Sequence, residues 1–168
     1  YKRQAKTFIY ATMYGGGDGL IGSLVGGTAK DGRKLKRDFE HAIPAFKTLK
    51  SELKRAYDGR GYLKGLDGRK LFVRSEHRCL SQLLQSAGAI LCKKWVALVY
   101  NEIKKQNLEA EILGWIHDEV QIACRNEEVA KHVGNITGRM AKEAGATFQI
   151  KIPIESEYDV GRTWSDTH

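Results

Sequence analysis

The sequence predicts an α+β chain in which helices come first and short antiparallel strand pairs follow. Three observations carry that expectation. Helical periodicity fills most of residues 1–57 and again residues 76–106. Two dipeptides, Asp67-Gly68 and His117-Asp118, each sit between short strand-like runs, as hairpin tips do. Strands and helices do not alternate as a βαβ series would require. With 168 residues, 42% of them hydrophobic and 29% charged, and only 2 prolines, the chain can bury a core. That composition excludes disordered, collagen-like and low-complexity classes.

The elements follow in order. Residues 1–14 hold no breaker and read as a helix that ends at Gly15-Gly16-Gly17. Asp18 caps a short helix to about Val25, stopped by Gly26-Gly27. Lys30 to Tyr57 is basic and helical, interrupted at Ile43-Pro44 because proline must start a new helix, and broken by Asp58-Gly59-Arg60-Gly61. Tyr62–Leu66 and Arg69–Val73 flank Asp67-Gly68, which suits a two-residue type I′ turn. Glu76 to Gln106 is a long helix with Leu80, Leu83, Leu84, Ala87, Ile90, Leu91, Trp95, Leu98 and Val99 at helical spacing, so one broad face is expected buried. Glu111–Ile116 and Glu119–Cys124 are strands around the His117-Asp118 tip. Asn126 caps a helix to about Ala144, with Glu127 and Glu128 where the helix dipole favours them. Gly145 is expected to end that helix, and 148–157 to form a last strand.

The net charge of +8 is uneven. Residues 1–70 hold 16 Lys and Arg against 7 Asp and Glu, whereas residues 71–168 hold 12 against 13. The basic part suits a polyanion such as nucleic acid or nucleotide phosphates, or equally a solvated surface. No apolar run approaches the ~20 residues of a membrane span, so no membrane partner is expected. Cys79, Cys92 and Cys124 are odd in number and lack CxxC spacing. They read as reduced, mostly buried thiols in a cytosol-like compartment, so the expected location is cytoplasmic.

Three groups of residues could carry chemistry. Lys2, Lys6, Tyr10 and Tyr14 recur at i+4 and form one drifting stripe, basic at its start and aromatic at its end. An ammonium group can hold phosphate and a tyrosine ring can stack on a sugar or base. The same spacing also describes a core-facing tyrosine pair with solvated lysines. In Ile116-His117-Asp118-Glu119-Val120, two adjacent carboxylates at a tight turn suit a divalent cation such as Mg²⁺, or else a polar tip facing water. Gln85 stands among leucines in Leu83-Leu84-Gln85-Ser86-Ala87-Gly88-Ala89, where its amide needs partners: minor-groove base edges or a neighbouring backbone. His41, His77 and His132 lack ligand spacing and read as surface residues. The run Lys30–Lys36 reads as a solvated face near which DNA phosphates could lie.

Taken together, these segments resemble the C-terminal part of family A DNA polymerases, in particular the replicative enzymes of podovirus-type phages. Lys6-Thr7-Phe8-Ile9-Tyr10 through Tyr14-Gly15 resembles motif B, the fingers helix. Gly65-Leu66-Asp67-Gly68-Arg69-Lys70 and Leu83–Ala89 resemble the hairpin and palm helix between motifs B and C. Ile116-His117-Asp118-Glu119 resembles motif C, and Pro153-x3-Glu157-x3-Gly161-x2-Trp164-x3-His168 resembles the family's terminus. The resemblance implies a fingers subdomain over residues 1–75 and a palm subdomain over 76–168.

It also implies roles. Lys6 would neutralise the triphosphate, with Lys2 and Arg3 beside it. Tyr10 would pack on the incoming sugar, Tyr14 would stack at the insertion site, and Gly15 would make room for the template. Gln85, His117, Ser81 and Arg69 would touch DNA. Asp118 would bind metal with Glu119 as a weaker partner, in a two-Mg²⁺ site. Two positions depart from the family pattern: Lys2 stands where Arg is usual and loses bidentate phosphate binding, and Ser81 stands where Asn is usual. The motif A pattern, D-x-S-x-x-E, occurs nowhere in these residues. The expected partners are therefore primer-template DNA, deoxynucleoside triphosphates, an N-terminal part carrying motif A and the thumb, and in addition a processivity factor. Template-directed nucleotidyl transfer is the expected reaction, with no activity expected of these residues alone. The rival readings are a DNA-binding remnant or subunit of a split polymerase, and an RNA polymerase on the same palm. The first has no use for paired carboxylates facing phosphate; the second would differ in its preference for ribonucleotides.

Overall fold

A computed structural model describes residues 2–167. Tyr1 of the opening helix and His168 of the terminal pattern lie outside the described residues. The chain forms two compact units, one ending at Ser86 and the other beginning at Ala87. Helices with two small antiparallel hairpins make the architecture α+β. Among the described residues no helix is long and apolar enough to cross a membrane.

The first unit contains α1 (Lys2–Met13), α2 (Asp18–Ser23), α3 (Ala29–Ala42), α4 (Pro44–Arg60), β1 (Tyr62–Lys64), β2 (Lys70–Phe72) and the start of α5 (Cys79–Lys105). Pro44 sits in the first turn of α4, where its missing N–H costs nothing. The Asp58-Gly59-Arg60 segment does not break α4; the helix continues to Arg60 and ends at Gly61, which takes the left-handed conformation at φ 73°. The β1–β2 turn also differs from expectation. Gly68 alone has positive φ, and its N–H donates to the Gly65 carbonyl, so the turn is centred on Leu66-Asp67. A type I′ turn needs positive φ at both central residues, and Asp67 does not adopt it. Leu53, Leu63, Leu71, Cys79 and Leu80 form this unit's core.

Helices α2 and α3 meet backbone to backbone. A Cβ on Gly22 would lie 1.9 Å from the Thr28 carbonyl oxygen, and one on Gly32 would lie 1.9 Å from that of Asp18. Asp18 adds an ionic tie, accepting hydrogen bonds from Arg33 and Lys36, both at 3.0 Å. The chain between the helices is set by a capping box at Thr28 and Asp31.

The second unit holds the rest of α5, then β3 (Ala110–Ile116), β4 (Glu119–Cys124) and α6 (Glu127–Thr147). Its core joins Trp95, Val99 and Ile103 of α5 to Val133, Ala141 and Ala144 of α6. Val99 and Ile136 are fully buried, and removing such a side chain from water stabilises by about 1.5–3 kcal/mol. The Trp95 Nε1–H donates to the Thr137 carbonyl at 2.9 Å, tying the two helices. Asn126 caps α6 through the Val129 N–H, as its position predicts. The expected buried face of α5 is narrower than its apolar spacing suggests: Leu84 is exposed, and so is Gln85.

Two expectations fail at the end of α6. Gly145 does not stop the helix but lies buried inside it. The helix closes instead in a Schellman arrangement, with Ile150 N–H donating to the Gly145 carbonyl and Gln149 N–H to that of Ala146. Gln149 supplies the left-handed residue at φ 56°. Residues 150–157 then run back over α6 without forming a strand. They dock into notches left by glycines. A Cβ on Gly145 would meet Ile154 at 2.8 Å, and one on Gly134 would meet the Tyr158 ring at 2.4 Å. Side-chain packing on a helix therefore takes the place of a ladder.

Replacing Gly32 with alanine should destabilise the α2–α3 pair by about 1–3 kcal/mol, because backbone atoms cannot yield to the new methyl group. Gly59→Ala, where a Cβ meets only open space, should be neutral or add up to about 1 kcal/mol. Thermal melts of the two variants check the contrast. A pH effect follows from Asp18, whose carboxyl is held below its ordinary value first by the hydrogen bond from Lys36 and then by that from Arg33. A depressed folded pKa means that its contribution is present above the unfolded value of ~3.9 and is lost as pH falls through the folded one. Acid titration of stability should therefore show a shallower loss below about pH 4 in Asp18→Asn than in the unaltered chain.

Candidate functional site

Helix α1 buries none of its residues. Its exposed stripe carries Lys2, Lys6, Tyr10 and Tyr14, with Arg3 beside Lys2. The two tyrosines are about half exposed and stack with ring centroids 6.3 Å apart and planes 17° from parallel. The Lys6 Nζ stands 5.8 Å from the Tyr10 ring centroid. A core-facing tyrosine pair is thereby excluded. The opposite side of α1 packs through Phe8 on Phe39 of α3, edge to face at 5.5 Å, which turns the stripe away from the unit's interior.

Gly15 ends α1 in a Schellman arrangement: its N–H donates to the Thr12 carbonyl and that of Gly16 to the Ala11 carbonyl. Its φ is 79°, and a Cβ there would lie 2.5 Å from the His77 carbonyl oxygen. The glycine lets the end of α1 approach the 3-10 turn at Glu76–Arg78. The glycine run made a close approach legible, but its partner, a backbone carbonyl 62 positions on in the sequence, carries no sequence signal.

In the second unit the β3–β4 hairpin presents His117 and Asp118 at its two-residue tip, both exposed, with Glu119 opposite Ile116 in the first pair. His117 takes φ 56°, the sign that primed hairpin turns require at their first central position. The Trp115 Nε1–H donates to the His117 carbonyl at 2.7 Å and so fixes the tip. The Glu119 carboxylate accepts from the Gln121 amide. The charge of Asp118 is felt at Cys92 on α5, whose thiol is pushed up first by burial and then by that carboxylate. Trp115 did not stand out in the sequence, and Cys92 did so only as one of three thiols, since their places beside the tip depend on the hairpin's fold. Among the described residues no group of three His, Cys, Asp or Glu forms a ready metal cage.

The remaining candidates are dispersed. Gln85 is exposed on α5, and its expected enclosure by leucines does not occur because Leu84 also faces outward. Ser81 is partly buried, and its hydroxyl donates to the Arg78 carbonyl at 3.1 Å. Arg69 is engaged by Asp67 at 2.7 Å, which raises the guanidinium's pKa and lowers that of the carboxyl. Cys79, Cys92 and Cys124 are free thiols, of which only Cys79 is fully buried.

The model of "DNA polymerase family A" matches residues 1–166. The chain belongs to that family. A "DNA-directed DNA polymerase" of Enterobacteria phage T3 is 35% identical over 98% of this chain, and a "DNA-directed DNA polymerase" of Escherichia phage T7 is 33% identical over the same share. In each case the chain spans 26% of the relative's length. The "DNA polymerase I" of Aquifex aeolicus is 26% identical over 98% of the chain and 30% of its own length. In fold, this family A chain matches the "POL domain of Pol1 from M. smegmatis complex with DNA primer-template and dNTP". That match has a TM-score of 0.80 at 16% identity and covers 91% of this chain and 28% of the other.

Gly15→Ala should cost at least about 1–2 kcal/mol, since a left-handed backbone penalises a Cβ and the His77 carbonyl blocks it. A melting temperature equal to that of the unaltered chain would contradict the close approach.

Proposed function

We propose that residues 1–75 act as the fingers and 76–168 as most of the palm of a DNA-directed DNA polymerase. The observation that carries this reading is the family match over residues 1–166 together with an α1 stripe that is open to a ligand. Lys6, with Lys2 and Arg3 beside it, neutralises the triphosphate of an incoming deoxynucleotide and stabilises the charge that develops on the departing pyrophosphate. Tyr10 packs on the sugar and Tyr14 stacks at the insertion site. Gly15 leaves that end of the helix free of a side chain. Gln85, His117, Ser81 and Arg69 contact the primer-template, Arg69 by exchanging Asp67 for a phosphate.

The tip fits Mg²⁺, an ion that takes one or two carboxylates together with phosphate oxygens and waters. Asp118 would hold it, with Glu119 beside it. When bound, Mg²⁺ supplies activation of the primer 3′-hydroxyl and charge neutralisation at the α-phosphate. The second metal-site aspartate belongs to motif A, whose pattern these 168 residues lack. Synthesis therefore requires an N-terminal part carrying motif A and the thumb, and a processivity factor is a further partner. The expected location is the cytoplasm, that of the host for a phage enzyme.

In a primer-extension assay the 168-residue chain alone should give no product. Mixing it with a family A N-terminal part that contains motif A should restore extension. Asp118→Ala and Lys6→Ala should each lower the restored rate about 10²–10³-fold, the scale of losing one electrostatic stabiliser. Equal extension by Asp118→Ala and the unaltered chain would leave a DNA-binding remnant as the reading. A preference for ribonucleotides would point to an RNA polymerase.

A further inference from the structure

Helix α3 carries a row of basic residues, three of them cations, that the α1 site does not use. Lys30, Lys34, Arg37 and His41 are all exposed. At 100° per residue they fall within roughly 60° of arc, along about 16 Å of helix. Phe39, which packs on Phe8, stands roughly 180° around α3 from that row. On α1, Lys6 stands roughly 160° from Phe8. The two basic features thus face outward on opposite sides of the α1–α3 packing.

Of the carboxylates near the row, three are engaged by other groups, and Asp38, four residues after Lys34, stands exposed on one flank. Asp31 accepts from the Thr28 N–H and hydroxyl, each at 2.7 Å. Glu40 pairs with Lys50 of α4. Asp18 takes Arg33 and Lys36. Among the described residues Lys30, Lys34 and Arg37 have no ion-pair partner.

We propose that this face of α3 is a second nucleic-acid contact, a single-row track for the phosphodiester backbone of single-stranded DNA. The choice of DNA rests on the polymerase reading above. Cations spaced about 4.5–6 Å apart along one line match a flexible single backbone. A duplex presents two strands, and these would need cations on both flanks of the helix. One flank here holds Asp38, and on the other Arg33 is taken by Asp18. Apart from the His41 imidazole at its end, the row contains no aromatic or apolar side chain, so Lys30, Lys34 and Arg37 track the backbone without stacking on bases, and the row lacks the anchors by which an acidic peptide is held.

The test measures binding of a fluorescent oligothymidylate to the 168-residue chain without nucleotide or metal. Loss of polymerase activity therefore cannot affect it. Each phosphate neutralised on a single strand contributes about 0.7 to the slope of log affinity against log salt. Lys30→Gln/Lys34→Gln/Arg37→Gln should lower that slope by about 2, which removes about 16-fold of the affinity loss between 50 and 200 mM salt. Lys34→Gln alone should lower it by about 0.7, and circular dichroism of both variants should match the unaltered chain. A control, Lys131→Gln/Lys142→Gln/Lys151→Gln, makes the same change in net charge in the second unit and should leave the slope unchanged. An unchanged slope in the α3 variants, or an equal change in the control, would overturn the proposal. So would stronger competition by polyglutamate than by oligothymidylate of equal charge, which would assign the row to an acidic protein.

Discussion

The second unit depends on one buried hydrogen bond, from the Trp95 indole to the Thr137 carbonyl. An indole N–H taken out of water and left unpaired would cost about 1–3 kcal/mol, so the contact fixes where α5 lies along α6. With those helices set, Val99 and Ile103 meet Val133, Ala141 and Ala144 in one registry, and Val120 and Ile122 of the hairpin pack on the same cluster. The β3–β4 pair then has one way to lie on the helices. Its tip, with His117 and Asp118, inherits that placement. A solvent-facing carboxylate owes its position to an indole buried in the core.

The first unit is organised by a different economy, the near absence of side chains where α2 crosses α3. Gly22 and Gly32 bring backbones together, and Asp18 then neutralises the two cations nearest that contact, Arg33 and Lys36. The remaining positive charge is left on outward faces. Part of the cation excess over residues 1–70 thus stands on an α1 stripe with tyrosines and on an α3 row without them. One combination offers charge and stacking; the other offers charge alone.

Legibility in the sequence followed the range of the interactions. The order of the helices, the Pro44 start, the Asn126 cap and the His117-Asp118 tip rest on neighbours within a few residues and stand in the structure as read, whereas Asp18, expected to cap α2, lies inside it behind an N-cap at Gly17. The α+β class followed from them. What failed was decided at a distance. Gly145 reads locally as a stop, yet it is a notch for Ile154; the left-handed position falls to Gln149, which no local preference singles out. Segment 148–157 alternates like a strand, but alternation says which side chains point inward and not what lies beneath them. Gln85 looked enclosed because leucines precede it in the sequence, while the helix turns Leu84 outward with it. At the candidate site the residue types and their order were legible, whereas the contacts that support them, Trp115 beneath the tip and His77 against Gly15, were not.

The strap over α6 has a consequence for the time course of amide exchange. Its side chains alternate inward, with Ile154 and Ser156 partly buried, and Tyr158 fills the space over Gly134. Among the described residues no backbone hydrogen bond outside helices and strands involves 151–158. Docking and hydrogen bonding are thus separated: the segment keeps its place through packed side chains and not through backbone hydrogen bonds. Its deuterium uptake would resemble that of a loose loop even though the ring of Tyr158 rests on the glycine beneath it.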